Sequence, residues 1–211
     1  MIPVLGFATY NRHDLADQLL ASIDYPVEHL VIINNSGTKQ WSPTKPNLVQ
    51  NIWHIEVPFG LGLVGAWNLI VKATPYAPYW LLVNDDATFD AGALEIIAKE
   101  ANPKGLGHPR VAPRWSAIVL GETIVDQVGL YDERFYPLYF DDNDYERRIE
   151  QKNLLVYDIP AGIKHLNSAS INAERNIETY RTNALLHKHK TDTNDNTWGW
   201  SLQTRRANRW D

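Results

Sequence analysis

The sequence predicts an α/β fold: a mostly parallel central sheet flanked by helices. Short, continuously apolar runs such as HLVII and YWLLV have the pattern of strands buried on both faces. Helix-period segments alternate with those runs through the first half of the chain, the order that builds parallel sheets. With 211 residues, 44% of them hydrophobic, the chain is long enough to bury one sizeable core.

Ile2 to Phe7 reads as the first strand and Thr9, Tyr10, Asn11 and Arg12 as the turn after it. From 13 to 23, Leu15, Leu19, Leu20 and Ile23 fall on one helical face. HLVIINNSG is a second strand, stopped by Asn34, Asn35, Ser36 and Gly37, and TKQWSPTKPN is loop by composition. Ile52 to Val57 alternates as a third strand, and 63–73 reads as a helix. YWLLVNDDAT is a strand that ends in Asn84, Asp85 and Asp86, with Asp90 as N-cap of a helix over AGALEIIAKEA. NPKGLGHPRVAP reads as a Gly/Pro-rich connection and RWSAIVL as a strand. YFDDNDYERRIEQKN is an acidic turn with a helix opening near Asp144, LLVYDIP a short strand and AGIKHLNSAS a loop. Residues 172–187 form a further helix, after which no periodicity is visible.

The net charge of −5 and pI of 5.8 provide no global basic field for nucleic acid or anionic membrane. Cysteine is absent, which removes disulfides, thiolate catalysis and Cys-ligated zinc. The N-terminus MIPVLGFATYNRHD turns polar too soon for a signal peptide, and no apolar stretch is long enough to span a bilayer. The expectation is a cytoplasmic protein without integral membrane association.

In parallel sheets, ligands gather at the carboxyl ends of strands, where Asn34–Asn35 and Asn84–Asp86 both fall. Adjacent carboxylates at the end of a buried strand need water or a cation between them. GLGLVG (Gly60, Gly62, Gly65) matches a dinucleotide fingerprint, with Asp85 at a suitable distance for a ribose-binding acid. That makes a dinucleotide-dependent oxidoreductase the principal rival reading, although Pro58 and Phe59 separate the strand from the first glycine. DDNDYE lacks the glycine that a calcium loop requires, since Glu146 or Arg147 takes that place. A histidine such as His165 is more often packed than ligating. His187 and His189 beside Lys188 and Lys190 read as a solvated basic face. The tail residues Arg205, Arg206, Arg209 and Trp210 read first as solvated, and second as a contact for nucleic acid or a polyanionic glycan.

Six segments together resemble glycosyltransferases of the GT-A fold, close to the family 2 enzymes and their rhamnosyltransferase-like members. They are VLGFATYNR, LVIINNSG, GLVGAWN, LLVNDD, VGLYDERFYPLYFDDNDYERR and VYDIPAGIKHLNSAS, in family order from residue 2 to about 170. The resemblance implies a catalytic domain over 1–170, with a nucleotide-binding half at 1–101 and an acceptor half at 102–170. Residues 171–211 would then be a helix and tail packed on the same domain. It places Thr9, Asn11, Arg12, Asn34, Asn68, Asn84 and Asp85 on the nucleotide-sugar side, and makes Asp86 and His165 ligands of Mn²⁺ or Mg²⁺. Asn34 and Asn84 stand where the family often has Asp.

What the resemblance implies chemically is transfer of a sugar from a UDP- or dTDP-sugar to an acceptor hydroxyl, on a glycan or a modified nucleic acid. A divalent cation would stabilise the departing diphosphate. The general base of an inverting reaction falls on Asp142, with Asp141 in an electrostatic or acceptor-orienting role and Arg148 paired with an acid or the diphosphate. A nucleotidyltransferase on the same fold would carry a basic Gly-rich loop near the N-terminus, which is missing here. A binding module with a degenerate site is the non-enzyme alternative.

Overall fold

The computed structural model describes residues 1–37, 40–166 and 173–199. In chain order the elements are β1 (Ile2–Thr9), α1 (His13–Ala21), β2 (Val27–Asn34), β3 (Val49–Glu56), α2 (Gly62–Ala73), β4 (Tyr79–Asn84), β5 (Ala87–Phe89) and α3 (Ala93–Glu100). Then follow β6 (Gly105–Arg110), β7 (Ala117–Gly121), α4 (Glu122–Val128), α5 (Asp141–Glu150), β8 (Leu155–His165) and α6 (Ala173–Asp192).

The strands form one sheet in the order β3-β2-β1-β4-β7-β6-β8-β5. β1 to β4 run parallel, β7 is antiparallel to both its neighbours, β6 and β8 pair in parallel, and β5 is antiparallel to β8. Alternating side chains divide the core between the two faces. In β4, Tyr79, Leu81 and Val83 join Leu19 of α1 and Leu94 and Ile97 of α3, while Trp80 and Leu82 join Trp67 and Ile70 of α2 and Tyr145 and Ile149 of α5. This two-sided burial explains why β2 and β4 are apolar runs rather than alternating ones.

Several local expectations change. GLGHPR is a strand, because its glycines allow close packing: a Cβ on Gly107 would lie 2.7 Å from Ile159. AGIKH continues β8 rather than forming a loop, because β5, a strand the sequence did not announce, pairs with it. Asp90 does not cap α3. The N-cap is Gly92 at φ 77°, and its N–H donates to Asp24. Arg114–Ser116 forms a 3-10 turn, so β7 begins only at Ala117.

Lys190 is not on a solvated face. It is fully buried, and among the described residues α6 docks through the polar Thr179, Asn183 and Lys190, with no apolar stripe. Residues 205–210 and the whole NSAS segment, 167–170, lie outside the described residues. Among the described residues, no helix is long and apolar enough to cross a membrane.

Candidate functional site

A cleft of about 430 Å³ opens at the carboxyl edge of the sheet. Its floor is a row across three neighbouring strands. Thr9 ends β1, Ala8 is in register with Asn84 of β4, and Val83 pairs with Ala117, which brings Ser116 beside Asn84. Gly60, Gly62 and Trp67 supply one wall, and the segment from Tyr136 to Asn143 another.

Asp85, Asp86 and His165 meet in one corner. The β5–β8 register sets Ala87 opposite His165, and Leu166 N–H donates to the Asp86 carbonyl at 3.0 Å. This fixes the imidazole against the acid: His165 Nε2 is 2.8 Å from Asp86 Oδ1, with both side chains buried. Asn84 Nδ2 lies 3.3 Å from the same ring nitrogen. Burial, reinforced by the charge of Asp86, pushes the Asp85 carboxyl up to about 6. The Thr9 hydroxyl favours the anion but lies outside hydrogen-bond geometry, and Asp85 Oδ2 has no partner among the described residues.

No three His, Cys, Asp or Glu side chains among the described residues converge as a ready metal cage. Hard divalent cations that bind through phosphates keep water and ligand oxygens, and need only one or two carboxylates. The donor set of Asp86 and His165, with the unsatisfied Asp85 oxygen nearby, fits such an ion.

A second acidic group stands on the first turn of α5. The helix begins at Asp141 rather than near Asp144, so Asp142 is in the helix and not in a turn before it. Tyr139 and Phe140 precede it at φ 77° and 65°, a conformation that costs energy in non-glycine residues. Asn183 of α6 holds them there, donating to the Leu138 carbonyl at 2.8 Å and the Tyr139 carbonyl at 3.3 Å. Asp141 and Asp142 both line the cleft. Burial, with the neighbouring Asp142 charge, pushes the Asp141 carboxyl up to about 7, while half-buried Asp142 accepts the Asn143 N–H at 2.8 Å.

Of the residues singled out by sequence, Thr9, Asn84, Asp85, Asp86, His165, Asp141 and Asp142 line this cleft; Asn11, Arg12, Asn34, Asn68 and Arg148 do not. Asn34 is buried with Oδ1 toward His13 Nε2 at 3.2 Å, and its neighbour Asn35 faces the cleft instead. Asn68 ties α2 to the chain beyond α4: its amide donates to Tyr131 O and Glu133 Oε1 and accepts from Tyr131 N–H. The Asn11 N–H donates to Ser36 Oγ, and Arg12 pairs with Asp14 at 2.8 Å. Arg148 pairs with an acid, Asp144, at 2.9 Å, and donates to Val128 O and Leu130 O from a buried position. Asn35 is marked with Asn34 by its place at the carboxyl end of a strand, whereas Trp67, Ser116 and Asn183 carry no sequence signal, because their roles depend on chain brought together from afar.

The glycine motif does not form a dinucleotide fingerprint. β3, the strand before it, is an edge strand, and the Asp85 strand β4 lies beyond β2 and β1 rather than beside it. The N–H groups that would cradle a pyrophosphate are also engaged. Leu61 donates to Asn35 Oδ1 at 2.6 Å, and Leu63 to Pro137 O at 2.9 Å. Gly62, at φ 74°, is required because a Cβ would lie 2.8 Å from Pro137 O.

A sheet of this order with its cleft at the carboxyl edge defines the GT-A glycosyltransferase fold, and solved structures of that fold superpose on the chain. S. aureus TarS 1–349 matches at TM-score 0.59 and 13% identity, covering 88% of this chain and 65% of its own. GalNAc-T7, solved with UDP, GalNAc and Mn²⁺, matches at TM-score 0.61 and 8% identity, over 99% of this chain and 54% of its own. TarS 1–349 in complex with UDP-GlcNAc matches at TM-score 0.53 and 14% identity, over 88% of this chain and 66% of its own. No family model and no curated protein matches the chain.

Proposed function

We propose that the protein is a metal-dependent glycosyltransferase that moves a sugar from a nucleoside-diphosphate sugar to an acceptor hydroxyl. The observation that carries this reading is the union, around one cleft of about 430 Å³, of an acid–imidazole pair and a separate acid pair on α5. A UDP donor is favoured because the solved neighbours include complexes with UDP and UDP-GlcNAc; a dTDP donor has the same diphosphate chemistry.

A bound Mn²⁺ or Mg²⁺ supplies positive charge to the departing diphosphate, the imidazole slightly favouring Mn²⁺. Asp86 and His165 are the residues that hold it. Thr9, Asn84 and Asp85 contact the donor from the sheet edge, while Asn34 and Asn68 support that edge from behind. Asp142, on a different wall, takes the proton from an acceptor hydroxyl that attacks in line with the departing diphosphate, the geometry of an inverting reaction. Asp141 supplies a field and orients the acceptor, and Arg148 acts only by fixing Asp144.

A panel of nucleotide sugars, scored for hydrolysis and transfer with and without EDTA, tests the proposal. At least one UDP- or dTDP-sugar is turned over, EDTA stops it, and Asp86→Ala and His165→Ala each lower Mn²⁺-dependent binding about tenfold or more without unfolding the chain. Turnover indifferent to EDTA would remove the metal from the mechanism.

A further inference from the structure

The floor and one wall of the cleft hold buried polar atoms that no described residue satisfies. Thr9 Oγ1, Asn84 Oδ1, Asp85 Oδ2, Ser116 Oγ and Trp67 Nε1 have no hydrogen-bond partner among the described residues. Buried polar groups in native proteins are overwhelmingly paired, so a cluster of exceptions lining one cleft calls for a ligand that pairs them. The acids and Asn84 belong to the metal and diphosphate corner, and Thr9 lies beside Asp85. Trp67 and Ser116 are accounted for by neither.

Both are rigidly held. Trp67 is 2% exposed, its ring edge-on to Tyr131 at 5.8 Å, and Tyr131 is stacked on Tyr145 at 4.1 Å. The indole is thus packed edge-on against a stacked pair of tyrosine rings. Ser116 is 1% exposed and ends the 3-10 turn that leads into β7, beside Asn84 in the sheet row. An indole N–H only donates, so it requires an acceptor oxygen; a serine hydroxyl donates and accepts. Neither group carries a charge to match a phosphate, whereas neutral sugar hydroxyls pair with both.

We infer that Trp67 Nε1 and Ser116 Oγ form a hydroxyl-reading subsite that selects the sugar of the donor. Trp67 donates to one sugar oxygen, and Ser116 exchanges a hydrogen bond with a neighbouring hydroxyl. This rests on the nucleotide-sugar reading above. A site with a buried donor rejects a sugar that lacks the matching oxygen, because the N–H is then left unpaired.

The test is equilibrium binding, with Mn²⁺ present, of the free nucleotide, the nucleotide sugar and its single-deoxy analogues to the full chain. Trp67→Phe and Ser116→Ala keep nucleotide affinity within about twofold of wild type and lose about tenfold for the nucleotide sugar. The Trp67→Phe penalty disappears against the one deoxy analogue that lacks its partner oxygen. Nucleotide-sugar affinity unchanged in both variants, equal losses for nucleotide and nucleotide sugar, or a penalty uniform over all analogues overturns the subsite, as does a wild type whose affinity gains nothing from the sugar. A wild type that binds neither UDP nor dTDP, free or sugar-linked, overturns the underlying nucleotide-sugar reading and the subsite with it. Thermal melting checks that each variant is folded, and if Trp67→Phe is not, Ser116→Ala is decided by the same comparisons.

Discussion

Asp141 and Asp144 stand on the same first turn of α5, yet the protein treats them in opposite ways. Asp144 is fully buried and meets three cations: Arg147 at 3.0 Å, Arg148 at 2.9 Å and Lys190 at 3.1 Å. Asp132, also fully buried, shares Lys190 at 2.5 Å and takes Arg134 at 2.6 Å. Burial alone would raise the Asp132 carboxyl, but Arg134 and Lys190 overcome it and hold it below its ordinary value. Asp141 has no cation against it among the described residues, lines the cleft and is pushed up to about 7. The anchor behind the helix thus satisfies its charges internally, while the cleft in front keeps its polar groups unsatisfied.

The sharpest way to break this division is Asp144→Ala, which strips three cations of a shared partner. The expected loss is about 3–5 kcal/mol in denaturant unfolding, the range for removing one member of a buried ion pair. A loss under about 1 kcal/mol would show the anchor to be ornamental. Next is Asp142→Asn, which keeps the fold and donor affinity but lowers transfer at least about a hundredfold. Asp141→Asn lowers transfer less; the reverse ranking would move the base to Asp141.

Asp141→Asn also acts on stability with a definite sign. The folded carboxyl is raised from 3.8 to about 7, so wild-type stability is fully present below the unfolded value and declines as pH rises through 7. The variant escapes that decline. It should match wild type near pH 4 and exceed it at pH 8 by on the order of 2 kcal/mol, read from unfolding curves at both pH values. The smallest expected effect is at the seam between the walls. Gly62→Ala forces a Cβ toward Pro137 O at a left-handed φ and costs about 1–2 kcal/mol in thermal or denaturant unfolding.

The sequence exposed what is written locally. Apolar runs marked β1, β2 and β4, helical spacing marked α1 and α2, and the carboxyl ends of strands pointed to Asn34, Asn35 and Asn84 to Asp86, all of which but Asn34 line the cleft. GLGHPR hid a strand because glycine and proline act as breakers in isolation, while inside the sheet the missing side chains make room for Ile159 and Tyr157. α6 was visible in outline, but the burial of Lys190 was not, since its docking face is polar. Asn34, Asn68 and Arg148 sit in the expected motifs and serve as internal ties, a distinction that depends on which way each side chain turns. Trp67 and Ser116 stand out only through the partners they lack, and only a folded chain reveals that.

The burial of Lys190 also sets an order of events. Its ammonium meets Asp132 across a sequence separation of 58 residues, so the chain must close that loop before Asp132 and Asp144 gain the one cation they share. The same helix α6 carries Asn183, which holds the backbone just ahead of Asp141. During synthesis the strands and the Asp86 corner emerge well before either residue. The left-handed turn ahead of Asp141 thus depends on a helix nearly two hundred residues into the chain, and its shape is tied to the docking of α6 rather than to the sheet alone.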